Sequence, residues 1–302
     1  SNEEQARWIG WQGAFYNIAK IAATGGLVYL AGTFIKLFGV AKAWMIIMLI
    51  IAFIMASVGI YHYLMLPGTK QETDDAPVSL RDSLSELLKV FLEFFTKRHI
   101  VYYICFIILY RFAEGFVMKI VPLFLKASRA EQGLGLSEQE IGLYYGTFGA
   151  AAFVIGSILA GYYIAWRGLQ KSLFSLALVF NIPFVAYTFL ALYQPESLWL
   201  IGGGIVMEYF GYGFGFVGLS LFMMQQVAPG KHQMAHYAFA SGIMNLGVML
   251  PGMMSGYISD KLGYQHFFLV VLVCTIPALL ITWFVPFTYP DATKKDQDAG
   301  KV

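Results

Sequence analysis

The sequence alternates between long apolar runs and short polar segments. Eight runs reach about the 20 residues that a helix needs to cross the hydrocarbon core of a bilayer. Residues 43–66 and 267–285 are continuously apolar, whereas strands of a membrane barrel would alternate in polarity. A helix also satisfies its own backbone in lipid. The pattern therefore predicts an all-α, polytopic transmembrane helical bundle with eight spans. These lie near residues 14–35, 43–66, 99–125, 139–166, 171–193, 197–227, 233–259 and 264–287.

The composition agrees with a membrane environment. Of the 302 residues, 58% are hydrophobic and 13% are charged, and the mean hydropathy is +0.64. These values lie outside the usual range of soluble globular proteins. The net charge of +2 lacks the strong basic balance that nucleic-acid binding requires. Cys105 and Cys274 lie within apolar runs, which is typical of small buried side chains. We therefore expect no nucleic-acid partner, no metal and no cofactor.

Lys and Arg residues outside the predicted spans are distributed unequally between the two sides of the membrane. The side that holds the N-terminus carries twelve of them, and the other side carries five. The positive-inside rule assigns the richer side to the cytoplasm. With an even number of spans, both ends of the chain are then predicted to be cytoplasmic.

The longest polar segment, residues 67–98, lies on the predicted cytoplasmic side. Ser79 and Asp82 have the spacing of a capping box that opens a helix. The apolar residues of this segment recur at helical spacing and are Leu80, Leu84, Leu87, Leu88, Phe91 and Phe95. The pattern predicts either an amphipathic helix on the membrane surface or a helix that only connects two bundles.

Three ionisable residues fall near the middle of predicted spans, where charge is costly and usually functional. Arg111 and Glu114 are three residues apart and share a helix face, so that they can pair. Glu114 is a candidate proton carrier and Arg111 its counter-charge or an anchor for a substrate carboxylate; a static salt bridge is the alternative. Glu208 has no cation within one helical turn, which favours the protonated carboxyl group that proton carriage requires. A purely structural glutamic acid is the alternative.

Four further polar residues accompany these charges. Tyr209 and Tyr212 are candidates for stacking on sugar rings or for hydrogen bonds to the Glu208 carboxyl group. His236, near the start of its span, is a candidate proton relay or an interfacial hydrogen-bonding group. Asn245 precedes a proline in the same span, a combination that transporters use in flexible gates.

No catalytic motif occurs in the sequence. Gly213-x-Gly215-x-x-Gly218 matches a dinucleotide-binding pattern, but it lies within an apolar helix and predicts a packing face. Gly211 with Gly215, Gly142 with Gly146, and Gly252 with Gly256 have the spacing of close helix contacts. HExxH, nucleophile-elbow and P-loop motifs are absent from the sequence. We therefore do not expect an enzyme.

The layout and six local motifs resemble a known family. The motifs are Tyr-Arg-Phe-Ala-Glu-Gly at 110–115, Gly-Leu-Gly-Leu-Ser-Glu-Gln-Glu at 133–140, Glu-Tyr-Phe-Gly-Tyr-Gly-Phe-Gly at 208–215, His-Tyr at 236–237, Leu-Pro-Gly-Met-Met-Ser-Gly at 250–256 and Gly-Tyr-Gln-His-Phe-Phe at 263–268. Over essentially the whole chain they resemble the muropeptide permease (AmpG-like) branch of the major facilitator superfamily. One departure is Ala165, which replaces the acidic residue of the superfamily's loop signature, so the gating ion pair of that loop is not expected.

The resemblance implies a proton-coupled permease that imports anhydro-muropeptides across the bacterial inner membrane by alternating access. Its partners would be a small solute, a coupling proton, membrane lipid and four missing N-terminal helices of the same protein. We expect that this segment alone does not transport. The implied regions are 1–66 (last two helices of the N-terminal bundle), 67–98 (cytoplasmic linker), 99–289 (six-helix C-terminal bundle) and 290–302 (cytoplasmic tail). The alternative is a complete eight-span scaffold or membrane enzyme subunit with purely structural charges.

Overall fold

The computed structural model describes residues 2–21, 27–65 and 80–289. The capping box predicted at Ser79 and the tail 290–302 lie outside these residues. Within the described ranges every regular element is helical and no strand occurs, which confirms the predicted all-α class. The α-helices are α1 Asn2–Ile21, α2 Val28–Phe38, α3 Val40–Met65, α4 Leu80–Thr96, α5 Ile100–Tyr110, α6 Phe112–Lys126, α7 Glu138–Ile141, α8 Gly149–Arg167, α9 Leu169–Asn181, α10 Pro183–Tyr193, α11 Leu198–Phe222 and α12 Gln233–Trp283.

Five described segments are long and apolar enough to cross a membrane. They are Val40–Met65, Gly142–Arg167, Leu169–Tyr193, Leu198–Val227 and Gln233–Trp283. A wider π-helical stretch, Gly142–Phe148, leads into α8, and a second one, Met223–Val227, extends α11. These segments support a polytopic membrane protein, whereas the full number of eight spans stays a prediction.

Breaks at Arg111 and Gly263 relate the predicted spans to the observed helices. The predicted span 99–125 contains α5 and α6, of 11 and 15 residues, because the helix is interrupted at Arg111. Within α12, Gly263 leaves the helical conformation with φ 70° and ψ 164°, which divides α12 into two helices at the boundary between the predicted spans 233–259 and 264–287. A positive φ of this kind is accessible to glycine at little cost, so Gly263 marks the point where the two helices of α12 meet.

The backbone divides into two compact units. The smaller unit comprises residues 18–85, in which α2 packs against α3. Along α3 only Ala43 and Ile47 are buried, so most of this apolar helix is exposed. The larger unit comprises residues 1–17 and 86–302 and contains both large clusters of buried apolar side chains. The four regions predicted from the sequence stay a prediction.

Glycines allow α11 to pack closely on its neighbours. A Cβ atom at Gly213 would overlap the backbone carbonyl of Phe153 in α8, and one at Gly211 would lie 2.5 Å from the carbonyl oxygen of Val179 in α9. The interpretation of the 213–218 motif as a packing face is therefore correct. The expected close contact at Gly142 and Gly146 is wrong for the described residues, because no described atom beyond the local helix lies within 4 Å of a Cβ built at either position.

Candidate functional site

Arg111 lies in the break between α5 and α6. Its φ of −104° and ψ of 5° end the helical pattern, and its N–H donates to the carbonyl of Leu109. A new helix therefore begins at Phe112, with Glu114 in its first turn. A carboxylate in that position is stabilised by the positive end of the helix dipole.

Arg111 and Glu114 form a bidentate ion pair. Nε of Arg111 donates to Oε2 of Glu114, and Nη2 donates to Oε1, each over 2.6 Å. The two residues are only 5% and 4% exposed. Paired, charge-assisted bonds of this geometry are strong, whereas either charge alone would be costly to bury. The pairing expected from the sequence is therefore present.

Aromatic rings of α11 cover the guanidinium group. The Cζ atom of Arg111 lies 5.7 Å from the ring centroid of Tyr212 and 5.4 Å from that of Phe216. Nη2 also points to the Tyr212 hydroxyl oxygen over 3.4 Å. Contacts of this kind between a cation and aromatic faces strengthen when water is excluded. Phe216 was not predicted, although its spacing of four residues from Tyr212 was visible in the sequence.

Glu208 has a hydrogen-bond partner that sequence reasoning missed. The hydroxyl group of Tyr187, on α10, donates to Oε2 of Glu208 on α11. Tyr187 is fully buried and its ring stacks on Phe268, with the centroids 5.7 Å apart and the planes at 15°. The hydroxyl group of a tyrosine inside an apolar helix usually needs a hydrogen-bond partner. Only the folded bundle shows which residue is that partner.

Tyr209 lies in an aromatic contact next to Glu208. Its ring meets that of Tyr145 edge to face, with the centroids 4.9 Å apart. The ring fits because Gly149 has no side chain, and a Cβ atom there would lie 2.8 Å from the Tyr209 ring. Tyr145, in the π-helical stretch before α8, was not among the predicted residues.

One face of α11 joins these groups into a single site. Glu208, Tyr212 and Phe216 follow one another at intervals of four residues, which places them on the same side of a helix. The face therefore carries a carboxyl group at one end and the aromatic cover of the Arg111–Glu114 pair at the other. Chemically, it combines a protonatable group, an ion pair that can exchange partners, and rings suited to stacking.

The other two predicted site residues lie outside this cluster. His236 is buried beside α4, where its Nε2 atom is 3.2 Å from the carbonyl oxygen of Val90 and its ring packs near Phe94. Asn245 is exposed on α12, and its side chain makes no hydrogen bond within the described residues. The structure therefore does not join either residue to the charged cluster.

The first part of α1 packs against α8. A Cβ atom at Gly10 would lie 2.7 Å from the Ser157 carbonyl oxygen, and one at Gly161 would lie 2.7 Å from that of Ala6. Nε2 of Gln225, in the π-helical stretch after α11, also donates to Oε1 of Gln5 over 2.8 Å. Next to this bond is a cavity of about 240 Å³ lined by Gln5, Met224, Gln225, Gln226, Pro229, Gln233 and Tyr289.

Comparison with known proteins identifies transporter-named relatives at low identity. "Putative transporter AmpG 2" of Rickettsia prowazekii (strain Madrid E) is 23% identical over 222 residues, which cover 70% of this chain and 51% of that protein. "Putative transporter AmpG 1" of Rickettsia felis (strain ATCC VR-1525 / URRWXCal2) is 24% identical over 190 residues, covering 60% and 40%. An "Uncharacterized protein" of Haemophilus influenzae (strain ATCC 51907 / DSM 11121 / KW20 / Rd) is 22% identical over 204 residues, covering 64% and 46%.

No protein-family model matches the sequence. The chain spans about half the length of the curated relatives that it matches. The names of the Rickettsia relatives describe transporters rather than enzymes. The predicted resemblance is thereby confirmed, and the chain is an all-α integral membrane protein similar to putative transporters of the AmpG type.

Proposed function

We propose that the chain is the larger part of a secondary active transporter that imports a small solute with a coupled proton. The solute we favour is an anhydro-muropeptide or a related sugar-peptide. The relatives named AmpG support this choice, because the sequence motifs resemble the AmpG-like muropeptide permeases. Import would proceed by alternating access across the bacterial inner membrane, with both ends of this chain in the cytoplasm. The activity belongs to the complete protein rather than to this segment alone.

The buried ion pair between Arg111 and Glu114 is the observation that carries the proposal. A pair at a helix break inside a membrane bundle can open without unwinding a regular helix, and such breaks form substrate sites in transporters. A carboxylate of the solute would replace Glu114 on the guanidinium group, which offers the same two donor atoms. Glu114, released from its cation, would then take up a proton.

Glu208 is proposed as the second proton-carrying group. Tyr187 donates a hydrogen bond to Glu208. Tyr212, which contacts Arg111, lies about one helical turn from Glu208 on α11. The tyrosine and phenylalanine rings of the same face suit a sugar, whose apolar faces stack on aromatic side chains. Loading of solute at Arg111 and of a proton at Glu208 would thus take place on one helix surface.

The contact of α1 with α8 is proposed as the part that separates during transport. It includes close backbone approaches at Gly10 and Gly161 and a cation–π contact of Arg7 with the Tyr162 ring, and Gln5 of α1 also bonds to Gln225. The adjacent cavity of about 240 Å³ is smaller than the roughly 300–1,000 Å³ of ordinary ligand sites. It would have to widen before a sugar-peptide could leave.

The proposal is tested by uptake of labelled anhydro-muropeptide into proteoliposomes that contain the product of the entire reading frame encoding this chain. Wild type, Glu208→Gln and Arg111→Gln are compared with and without an inward proton gradient. We expect gradient-driven uptake by the wild type, loss of gradient dependence in Glu208→Gln, and a raised KM for the solute in Arg111→Gln.

A Met207→Leu variant serves as the matched control, since Met207 neighbours Glu208 in sequence but is exposed on another side of α11. Its uptake should equal that of the wild type. Uptake that keeps its full gradient dependence in Glu208→Gln would make Glu208 structural. Absence of uptake for the wild type with every sugar-peptide tested would favour the scaffold or enzyme-subunit alternative.

A further inference from the structure

The linker helix α4 divides its apolar surface between two environments. At 100° per residue, the apolar side chains from Leu87 to Phe95 occupy one continuous arc of the helix. Val90 and Phe94, at one edge of this arc, are 7% and 0% exposed. The rest of the arc, here called the uncovered arc, is only partly contacted by the described residues and comprises Leu87, Leu88, Phe91, Leu92 and Phe95, which are 44–63% exposed.

The covered edge is fixed to the bundle. The ring of Phe94 lies 5.7 Å from that of Phe239, and Phe91 also meets Phe239, with the centroids 5.6 Å apart. The carbonyl oxygen of Val90 contacts the ring nitrogen of His236. These contacts set the rotation of α4, so that the uncovered part of its arc faces away from the bundle.

Lys97, directly after α4, fixes the level of the helix. Its Nζ donates to the carbonyl oxygens of Val227, Ala228 and Pro229 over 2.7, 3.1 and 2.8 Å. A cation at the end of a helical segment satisfies carbonyls that lack backbone donors. The membrane-length segment Leu198–Val227 ends at these carbonyls, so Lys97 holds α4 at that boundary.

Two other segments begin at the same level. The apolar helix α5 starts at Ile100, four residues after α4 ends at Thr96, and α12 starts at Gln233 beside His236. Segments that enter and leave the hydrocarbon layer therefore meet around α4. An outward-facing apolar arc at this level reaches the boundary between lipid headgroups and acyl chains, whereas the opposite face of α4 carries Lys89 and Glu93.

We propose that α4 is an interfacial helix whose uncovered arc, Leu87, Leu88, Phe91, Leu92 and Phe95, is inserted into the lipid of the adjacent leaflet. Amphipathic helices of this kind lie in the membrane plane with the apolar face buried about 5–10 Å. Such anchoring in lipid is separate from the transport of any solute. Because Lys97 and Phe94 join α4 to the bundle, the helix anchors the end of the bundle at a fixed depth in the leaflet.

Site-specific fluorescence in vesicles tests the proposal. Cys105→Ala and Cys274→Ala first remove the two native thiols. An environment-sensitive probe is then attached to Leu88→Cys, Leu92→Cys or, as the matched control, Lys89→Cys of the full chain. The vesicles contain phosphatidylethanolamine, phosphatidylglycerol and a lipid with a doxyl quencher near the headgroup, and far-UV circular dichroism checks that each variant is folded.

We expect blue-shifted emission and several-fold stronger quenching by the doxyl lipid at Leu88→Cys and Leu92→Cys than at Lys89→Cys. Lys89→Cys should instead be quenched by aqueous iodide. Equal doxyl quenching at all three positions would overturn the proposal. So would blue-shifted probes that neither doxyl lipid nor iodide reaches, since that result would mean that another protein surface, from this chain or a second copy, covers the arc.

Discussion

The ion pair between Arg111 and Glu114 allows a test of how charge is tolerated inside this bundle. Removing either partner leaves the other charge buried, and breaking a buried pair in this way costs about 3–5 kcal/mol. The two partners are not equivalent. A carboxyl group can take up a proton and become neutral, whereas a guanidinium group stays charged. We therefore expect Glu114→Gln to be more destabilising than Arg111→Met.

The magnitudes follow from the burial and geometry of the pair. Both residues are nearly inaccessible and joined by two bonds of 2.6 Å, so the upper cost applies when Arg111 is left unpaired. A loss of about 3–5 kcal/mol corresponds to a fall of the unfolding midpoint on the order of 10 °C. The double variant Arg111→Met/Glu114→Gln removes both charges and should recover most of the loss.

The assay is thermal unfolding of the four proteins in detergent, with the double-mutant cycle evaluated from the midpoints. The expected order of stability is wild type or double variant first, Arg111→Met next and Glu114→Gln last. The reasoning would be refuted if Arg111→Met were the least stable protein. It would also be refuted if the double variant were no more stable than Glu114→Gln.

Two further predictions concern packing and capping. Gly213→Ala should lower stability by about 1–3 kcal/mol, because its Cβ overlaps a neighbouring backbone, whereas Gly203→Ala, which has open space around it, should be neutral or stabilising in the same thermal assay. Accepting hydrogen bonds from the backbone and hydroxyl of Ser137 lowers the pKa of Glu140, so its capping contribution is present at neutral pH and lost as the pH falls through that lowered pKa. The protection factor of the amides at the start of α7, corrected for the pH dependence of intrinsic exchange, should fall as the pH drops through that lowered pKa, and Glu140→Gln should abolish this fall; a protection factor that stays unchanged in acid would contradict this.

The apolar and charged patterns determined the class of the protein. Continuous apolar runs such as 43–66 can be stable only in lipid, and in lipid a segment must satisfy its own backbone, so the helical class follows from the sequence. The pairing of Arg111 with Glu114 also followed, because residues three apart in a helix are neighbours wherever the helix lies. The packing role of the glycines at 213–218 could be predicted as well, because they lie within an apolar helix.

Only the tertiary structure decided which distant residues meet. Tyr187 reaches Glu208 from another helix, and no periodicity within α10 or α11 encodes that contact. The break at Arg111 depends likewise on packing, since apolar residues on both sides of it favour a continuous helix. His236 lies under α4, apart from the charged cluster, because the rotation and level of α4 are set by side chains far away in sequence. Local spacing fixes neighbours along one helix, whereas neighbours between helices depend on the packing of the whole bundle.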